Sequence, residues 1–485
     1  MTASPRRALL WSFAERYAGL LVAIASTMIL SRLLTPAQVG VYSLCAAFTA
    51  VAGILRDFGM SEYLIQEKDL TRDKLRSAYG VAILIAWTMG GLIFLSRHAV
   101  ANFYEEPLVA DVLTVLTVHF FILPISSPTF ALLNREMAFR QIFFLQITSN
   151  TSQAIVSVAL AFAGYGVMSL AWGPIANVAV QAVVLMMMRP KECFTLPGLR
   201  EARTVLRFGS MYVASRTIEV LTRNFHDPVI AKQFDFAAVG LFSRAFGLID
   251  LFHMNVGAAV VRVATPAFAA QHRAGQSLSE PYARATAIFA CVSWTFFGFV
   301  ALMAEPIIRV MFGSQWVAAA PLAVALALAT LPHGLFALAP QMLSATGHVG
   351  RRLRVSLIYS PIHIVLVLLA AHISLVAVAS VWFISNALML GMYFWHLRQV
   401  LNVRLASLLG PSLRSAAVAG SSVAVQAISM LLLRQWDAPA LLAIPVVLAC
   451  GVVAWVAAAR AFSHPVYPEI LNGVAAVRAR IARLH

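Results

Sequence analysis

The stretch RLLTPAQVGVYS at residues 32–43 has a second copy, KQFDFAAVGLFS, at residues 232–243. The identical positions are Ala37 and Ala237, Val39 and Val239, Gly40 and Gly240, and Ser43 and Ser243. Thr35 and Asp235 have side chains that cap helix N-termini, and Pro36 suits the first position of a helix. Each copy therefore predicts a short turn that starts a helix, and the pair predicts a chain built twice from one plan.

The composition indicates the environment in which the chain folds. Hydrophobic residues make up 60% of the 485, charged residues only 12%, and the mean hydropathy is +0.81. These values lie far outside the range of soluble globular chains, so we infer an integral membrane protein. The four cysteines, Cys45, Cys193, Cys291 and Cys450, stand apart without the paired spacing of a zinc site or a redox motif. We expect neither a metal site nor a cofactor.

Apolar runs of about 20 residues, the length that crosses the hydrocarbon core, recur along the whole chain. Fourteen candidate spans lie near residues 10–31, 38–55, 77–96, 109–131, 142–163, 167–188, 209–231, 237–261, 285–304, 319–343, 354–370, 375–397, 412–432 and 441–460. With the N-terminus inside, most of the 36 Lys and Arg fall in inside loops such as RDKLR (72–76) and RRLR (351–354). This asymmetry predicts cytoplasmic N- and C-termini. The net charge of +16 therefore indicates topology, and we expect no nucleic-acid partner.

Three weaker matches extend the repeat, each at an equivalent position among the predicted helices. They are Ala14 and Arg16 with Ala214 and Arg216, HAVANF (98–103) with IIRVMF (307–312), and PTFALLNREMAFR (128–140) with PQMLSATGHVGRR (340–352). Their common order favours a duplication of six helices with two further helices appended. Because six is even, both copies enter the membrane from the same side, so the repeats are parallel about an axis along the membrane normal. Such a pair is expected to enclose a central cavity.

The predicted fold class is all-α: a polytopic membrane protein of about 14 transmembrane helices in two pseudo-symmetric six-helix bundles plus two C-terminal helices. We place the N-terminal bundle at residues 1–190, the second bundle at 191–400, helices 13 and 14 at 401–461, and a cytoplasmic tail at 462–485. Apolar residues recur in the tail at spacings of four and three, with arginines between them. This pattern predicts a basic amphipathic helix on the inner membrane surface, or a helix packed on the cytoplasmic loops.

Four stretches resemble the polysaccharide or oligosaccharide flippases (Wzx-like transporters) of the multidrug, oligosaccharidyl-lipid and polysaccharide exporter superfamily. They are SRLLTPAQVGVYSL (31–44), DFGMSEYLIQEKDLT (57–71), RNFHDPVIAKQFDFAAVGLFSRA (223–245) and MFGSQWVAAAPLAVALAL (311–328). The resemblance covers nearly the whole chain in order and spacing. The chain departs from the family pattern where the family often has Gly before the second turn, and it has Phe242 where the family has Tyr.

The resemblance implies two six-helix bundles, alternating access, and export of lipid-linked sugar units across the bacterial inner membrane. The implied substrate is a polyprenyl diphosphate-linked oligosaccharide repeat unit for surface polysaccharide such as exopolysaccharide or lipopolysaccharide. Membrane lipids surround the protein, and a polysaccharide polymerase could be a further partner. A transporter of this kind is not an enzyme.

Four charged residues lie inside the seventh predicted span: Arg216, Glu219, Arg223 and Asp227. At the pitch of an α-helix they fall within an arc of roughly 80°, which is a single stripe. Ionisable groups inside a span are costly and usually face a cavity or one another. They could simply neutralise each other as i,i+3 and i,i+4 pairs. Alternatively, the arginines bind the diphosphate of the carrier through bidentate guanidinium forks, while Glu219 and Asp227 balance the charge or take up a coupling ion.

Other polar residues extend this hypothesis. Arg16 matches Arg216 in the repeat and is expected to face the same cavity, and Arg244 in the eighth span is a further candidate for the diphosphate. Asp250 and His253, three residues apart, could form a proton relay or a hydrogen bond that only fixes packing. Three lone histidines are predicted to be packing or cavity-wall residues: His119, His333 and His363.

Two other function classes fit the sequence less well. A membrane-embedded glycosyltransferase, polymerase or ligase usually needs a carboxylate pair for a metal-bound sugar nucleotide or a large outside loop, and the chain has no DxD and only short outside loops. A cation-coupled multidrug exporter of the same superfamily is the alternative function. It is expected to use a carboxylate-rich pocket for cationic drugs, whereas arginine leads the candidate charges here.

Overall fold

The computed structural model describes residues 5–193, 195–401 and 405–481, and these residues form helices and connecting turns without a strand. The chain divides into two compact units, Met1–Gly240 and Leu241–His485. An all-helical fold follows from the apolar environment, because a helix satisfies its own backbone hydrogen bonds where water is absent. The expected bundle boundaries near residues 190 and 400 stay predictions.

The first unit contains seven long helices and three short ones in its described residues. They are α1 (Pro5–Leu33), α2 (Pro36–Asp57), α3 (Met60–Gln66), α4 (Arg72–Tyr104), α5 (Leu108–Arg135), α6 (Phe139–Phe162), α7 (Val167–Met188), α8 (Pro190–Cys193), α9 (Ala202–Asn224) and α10 (His226–Gln233).

The helices of the second unit include three short segments that are not α-helical. They are α11 (Phe236–Phe252), whose first turn precedes the division between the units, a π-helical turn (His253–Gly257), α12 (Ala258–Arg273), α13 (Ser279–Met311), a 3-10 helix (Ser314–Ala319), α14 (Ala320–Ala329), a second 3-10 helix (Leu331–Leu335), α15 (Ala339–Ala345), α16 (Val349–Ala371), α17 (Leu375–Leu401), α18 (Leu405–Gln435), α19 (Ala440–Ala461) and α20 (Val466–Ile481).

Twelve helical segments of the described chain are long and apolar enough to cross a membrane, which makes this a multi-pass membrane protein. They coincide with twelve of the fourteen predicted spans. The other two predicted spans, near 142–163 and 209–231, are also helical and correspond to α6 and to α9 with α10. These helices carry more polar or charged residues than the other spans, so they are not among the twelve apolar segments.

The repeated stretch starts a helix in both copies, as predicted. The Thr35 hydroxyl accepts a hydrogen bond from the Gln38 backbone N–H at 3.3 Å, and the Gln38 side chain accepts one from the Thr35 N–H at 3.0 Å. This reciprocal arrangement is a capping box, with Pro36 at the first position of α2. In the second copy, Asp235 Oδ1 accepts from the Ala238 N–H at 2.6 Å.

The two copies also touch each other inside the first unit. A Cβ on Gly40 would lie 1.7 Å from the carbonyl oxygen of Phe236, and a Cβ on Gly240 would lie 2.0 Å from the carbonyl oxygen of Pro36. The contact is reciprocal, because each glycine occupies the same position in its copy. Only glycine allows two helix backbones to approach this closely, which explains why Gly40 and Gly240 are among the identical positions.

The start of the C-terminal helix packs on the second unit. Glu469 of α20 accepts a hydrogen bond from Arg284 of α13 at 2.8 Å, and Ile470 packs against a buried cluster that includes Cys291 and Val418. The beginning of α20, within the predicted tail, thus contacts protein. The side chains of residue 474 and of residues 476–485 lie outside the described part, so the amphipathic membrane face stays a prediction.

Candidate functional site

Three of the four charged residues of the seventh predicted span, Arg216, Glu219 and Arg223, are exposed on α9. Arg216 Nη1 lies 3.1 Å from Glu219 Oε2, with side chains 47% and 51% exposed, and Arg223 is also exposed. The i,i+3 ion pair expected from the spacing is therefore present. Neither residue is buried, so both charges stay accessible to a ligand from the same surface.

Asp227 has a different environment from the arginines. The segment continues from α9 into α10 through Phe225, whose φ of −64° and ψ of −24° remain in the right-handed helical region. Asp227 is only 8% exposed, and its Oδ1 lies 3.3 Å from Nε2 of the neighbouring His226. That oxygen accepts no hydrogen bond from the described residues. The carboxylate is therefore enclosed in the protein, whereas Arg216 and Arg223 face outward.

Arg16 is half-buried on α1. The helix packs against α6, where the Trp11 ring lies 5.1 Å from the Phe143 ring. Among the described residues, none forms an ion pair with Arg16. This arginine therefore differs from Arg216, its counterpart in the repeat, which has Glu219 as an intrahelical partner.

Arg244 of α11 lies against two aromatic rings of the second unit. Its guanidinium carbon is 5.5 Å from the centre of the Phe312 ring and 5.2 Å from that of Trp316. Trp316 is fully buried, which fixes one side of the arginine. Both distances are those of cation–π contacts. Phe312 directly follows α13, Trp316 belongs to the 3-10 helix after it, and Arg244 itself lies on α11, so three parts of the unit meet at this cation.

Arg244 has no acidic partner in the described parts of the chain. Its Nε is enclosed and makes no hydrogen bond with a described residue. A guanidinium presents five N–H donors and no acceptor, so it can be satisfied only by oxygens that another group supplies. The arrangement therefore holds a cation in place by ring contacts while leaving its donors for an anion.

Asp250 lies in the last turn of α11, and His253 begins the π-helical turn that follows. The His253 ring packs edge-on against the His333 ring, with centres 4.9 Å apart at 89°, and lies 5.8 Å from the Phe297 ring. The structure thus places His253 beside His333, which we predicted to be a packing or cavity-wall residue. The signal for this position was present in the sequence: Pro332 and Gly334 flank His333 in LPHGL, which is typical of a helix break.

Sequence reasoning also missed the rings around Arg244. Phe312 and Trp316 occur in MFGSQW, where they are predicted only as part of a family-like stretch. Their role depends on how α13 turns into the 3-10 helix, which residue spacing does not encode. In the described residues, no group of three or more His, Cys, Asp or Glu is arranged to hold a metal ion.

Comparison with known proteins places the chain among polysaccharide biosynthesis proteins. The family model with the description "Polysaccharide biosynthesis protein" matches residues 29–321. The chain is similar to the teichuronic acid biosynthesis protein TuaB of Bacillus subtilis (strain 168), with 23% identity over 323 residues, covering 66% of this chain and 66% of TuaB. It is also similar to the succinoglycan biosynthesis transport protein ExoT of Rhizobium meliloti (strain 1021), with 24% identity over 335 residues, covering 66% of this chain and 64% of ExoT. The matched part is thus no more than about two thirds of the length of these relatives.

Among solved structures, the chain is similar to the lipid II flippase MurJ in its inward closed conformation. The TM-score is 0.73 at 13% sequence identity, covering 96% of this chain and 100% of that chain. At this identity the likeness shows the fold alone. It confirms the predicted all-α, polytopic membrane fold.

Proposed function

The chain belongs to the polysaccharide biosynthesis protein family, and from that premise we propose that it translocates a lipid-linked oligosaccharide across the bacterial inner membrane for surface-polysaccharide biosynthesis. The substrate is a repeat unit attached to a polyprenyl diphosphate, and the protein moves it by alternating access. The similarity to ExoT, which is named as a transport protein, supports a transport role. This transport changes the position of the substrate without making or breaking a bond, so no enzymatic step is required.

The observation that carries the proposal is the unpaired Arg244. Retaining an ion inside a membrane protein is costly unless it serves a ligand or a partner. Phe312 and Trp316 hold this cation without neutralising it. A diphosphate has oxygens that match the fork of a guanidinium, so a single arginine can bind it bidentately.

The other arginines complete the proposed recognition of the diphosphate. Arg16 and Arg216 would capture the head group near the inner surface, at roughly 10 Å depth from the start of each helix. Arg223 would hold it about 10 Å deeper, two helical turns further along the segment. Glu219 neutralises Arg216 in the absence of substrate, which the 3.1 Å ion pair supports. Asp227 would be the second balancing charge.

We further propose that both chain ends are cytoplasmic and that a polysaccharide polymerase receives the translocated unit. The orientation rests on the distribution of Lys and Arg among the loops. Single cysteines at Ser314 and Asp437 are then expected to react with a membrane-impermeant thiol reagent in intact cells. Cysteines at Lys191 and Arg351 are expected to stay unlabelled, and their labelling from outside would overturn the orientation.

A cation-coupled multidrug exporter remains the alternative function. Such an exporter binds organic cations on aromatic rings and carboxylates. In this chain Arg244 already occupies the faces of Phe312 and Trp316, and Asp227 is enclosed beside His226. The described site is therefore better suited to an anion than to a cationic drug.

A deletion strain tests the two functions against each other. Loss of a flippase is expected to abolish surface polysaccharide and to leave lipid-linked repeat units in the cytoplasmic leaflet, with unchanged drug susceptibility. Complementation by the wild-type chain, and not by Arg223→Ala, is expected to restore the polymer. Normal polysaccharide together with increased drug susceptibility would establish the exporter instead.

A further inference from the structure

Two interruptions of α-helical structure meet in the second unit. The π-helical turn His253–Gly257 lies between α11 and α12, and the Ala258 N–H bonds to the His253 carbonyl across this turn. The 3-10 helix Leu331–Leu335 lies between α14 and α15. Interruptions inside a span expose backbone groups that the apolar surroundings cannot satisfy, so they are retained where they form a site.

The 3-10 interruption is fixed in place by side chains of neighbouring helices. Trp294 Nε1 of α13 donates to the Leu331 carbonyl at 2.7 Å, and Asn386 Nδ2 of α17 donates to the Ala329 carbonyl at 3.0 Å. Gly334 is tightly packed, since a Cβ there would lie 2.9 Å from Ser293 Oγ. These contacts therefore hold the 3-10 helix, and His333 within it, in a fixed position.

The two interruptions each contribute one histidine to a single pair. His253 begins the π-helical turn, His333 is the central residue of the 3-10 helix, and their ring centres are 4.9 Å apart. His333 Nδ1 is enclosed and makes no hydrogen bond with a described residue. An imidazole nitrogen without a partner in an apolar setting can take a proton or share one with a neighbouring imidazole.

Aromatic rings enclose this pair. His333 lies 5.0 Å from the Phe336 ring and 6.2 Å from the Phe289 ring, and His253 lies 5.8 Å from the Phe297 ring. Aromatic faces stabilise a nearby cation without supplying a fixed negative charge. The rings around the pair therefore tolerate an imidazolium.

The elements around the pair carry further ionisable groups. Asp250 lies three residues before His253 on the last turn of α11, Cys291 is on α13, and the Tyr393 ring of α17 stacks on Phe336. Further along the same helices are Arg244, Arg262, His272, Arg273, Glu280, Tyr282, Arg284, Glu305, Arg309, His396 and Arg398.

We propose that His253 and His333 together bind one proton and that this proton is the coupling ion of transport. The inference rests on the proposed function and deepens it by assigning the ion and its site. The proton arrives from water and returns to water, and the only bond that forms or breaks is N–H. A shared proton makes a charge-assisted hydrogen bond, which is stronger than one between neutral rings. Protonation therefore draws the π-helical turn and the 3-10 helix together and biases the packing of the second unit.

Purified protein in liposomes tests the proposal with a polyprenyl diphosphate-linked oligosaccharide as the probe. Its arrival in the outer leaflet is followed with an added glycosidase, with and without a gradient of one pH unit. Such a gradient can change the wild-type rate by up to about tenfold for one coupled proton. His333→Gln, and separately His253→Gln, are expected to move the substrate at the same rate with and without the gradient.

His363→Gln is the matched control. This histidine is also buried in the second unit, but its Nδ1 bonds to Ser385 Oγ at 2.8 Å, and it is outside the pair. Its variant is expected to keep the wild-type response to the gradient. Size-exclusion profiles identify any variant that fails to fold. If one of the two variants of the pair does not fold, the other one still tests the proposal.

The outcomes distinguish a failure of the proposed transport function from a failure of the proton assignment. A wild-type chain that moves no substrate refutes the proposed function, and the assignment of the proton falls with it. A wild-type chain that moves substrate without responding to the gradient refutes the proton alone. The proton assignment is also refuted if His253→Gln and His333→Gln both respond to the pH gradient as the wild type does.

Discussion

Each unit holds a cation against a phenylalanine, and the two cations have different partners. In the first unit, Lys232 Nζ lies 4.9 Å from the centre of the Phe103 ring and 3.3 Å from Glu105 Oε1. In the second unit, Arg244 lies 5.5 Å from the centre of the Phe312 ring with no described acid beside it. Phe103 and Phe312 end the matching stretches 98–103 and 307–312, so the rings occupy equivalent places in the repeat.

The two rings are equivalent, but Lys232 has an acidic partner and Arg244 has none among the described residues, so we propose an anion site at Arg244 alone. Lys232 is satisfied, because it also donates to the Phe103 carbonyl at 2.8 Å, and an exposed pair of this kind contributes only about 0–1 kcal/mol. Arg244 gains nothing from a fixed carboxylate. In the first copy the position equivalent to Arg244 is Leu44, which is fully buried. The charge at this position is therefore specific to the second copy.

Breaking the contact between the copies is expected to have the largest effect. Gly240→Ala would place a methyl group 2.0 Å from the Pro36 carbonyl oxygen, and Gly40→Ala would place one 1.7 Å from the Phe236 carbonyl oxygen. Because backbone is on both sides, neither clash can be relieved by a side chain, and we expect a loss of about 1–3 kcal/mol or more. Thermal unfolding of the purified variants measures this loss. Gly247→Ala is the control, since nothing lies within 4 Å of its added Cβ, and equal melting of all three variants would contradict the contact.

Removing Arg244 or Lys232 tests whether transport needs only the cation that has no acidic partner among the described residues. Arg244→Ala is expected to lower polymer export by about 10–100-fold, the usual worth of hydrogen bonds to a charged group. Arg244→Lys keeps the charge, loses the fork and should retain part of the activity. Lys232→Ala, at a charge that is already paired, is expected to leave export near the wild-type level. Quantifying surface polysaccharide in a complemented deletion strain gives these values, and equal effects of the two alanine variants would remove the distinction.

The fold was accessible from the sequence because it depends on local chemistry. The apolar runs predict the spans, and Thr35, Pro36 and Asp235 predict the helix starts that the structure has. The site was accessible only in part. Arg244 can be recognised as a costly charge, but whether it is paired depends on which groups α13 and the next helix bring near it.

The same limit applies to the histidines. His253 and His333 are 80 residues apart in the sequence, and spacing alone pairs His253 with the nearer Asp250. Their contact arises because two helix interruptions meet. Pro332 and Gly334 predict that a break occurs, but they do not predict what the break faces.

Loosening the ring contact is expected to give the smallest effect. Phe312→Leu keeps an apolar side chain but removes one of the two aromatic faces from Arg244, which costs about 1 kcal/mol, or about fivefold in export. The matched change in the first unit, Phe103→Leu, should leave export unchanged, because Glu105 still pairs with Lys232. Export rates measured in the same complemented strain compare the two variants. An equal loss in both would show that the rings serve packing alone.

Binding of the carrier to purified protein tests the central claim most directly. The affinity of polyprenyl diphosphate is measured in detergent for the wild type, Arg244→Ala and Lys232→Ala, with the uncharged polyprenol as the reference ligand. We predict that the Arg244 variant binds the diphosphate about 10–100-fold more weakly, binds the polyprenol as the wild type does, and that the Lys232 variant matches the wild type for both ligands. Equal affinity of the wild type and the Arg244 variant for the diphosphate would contradict the account.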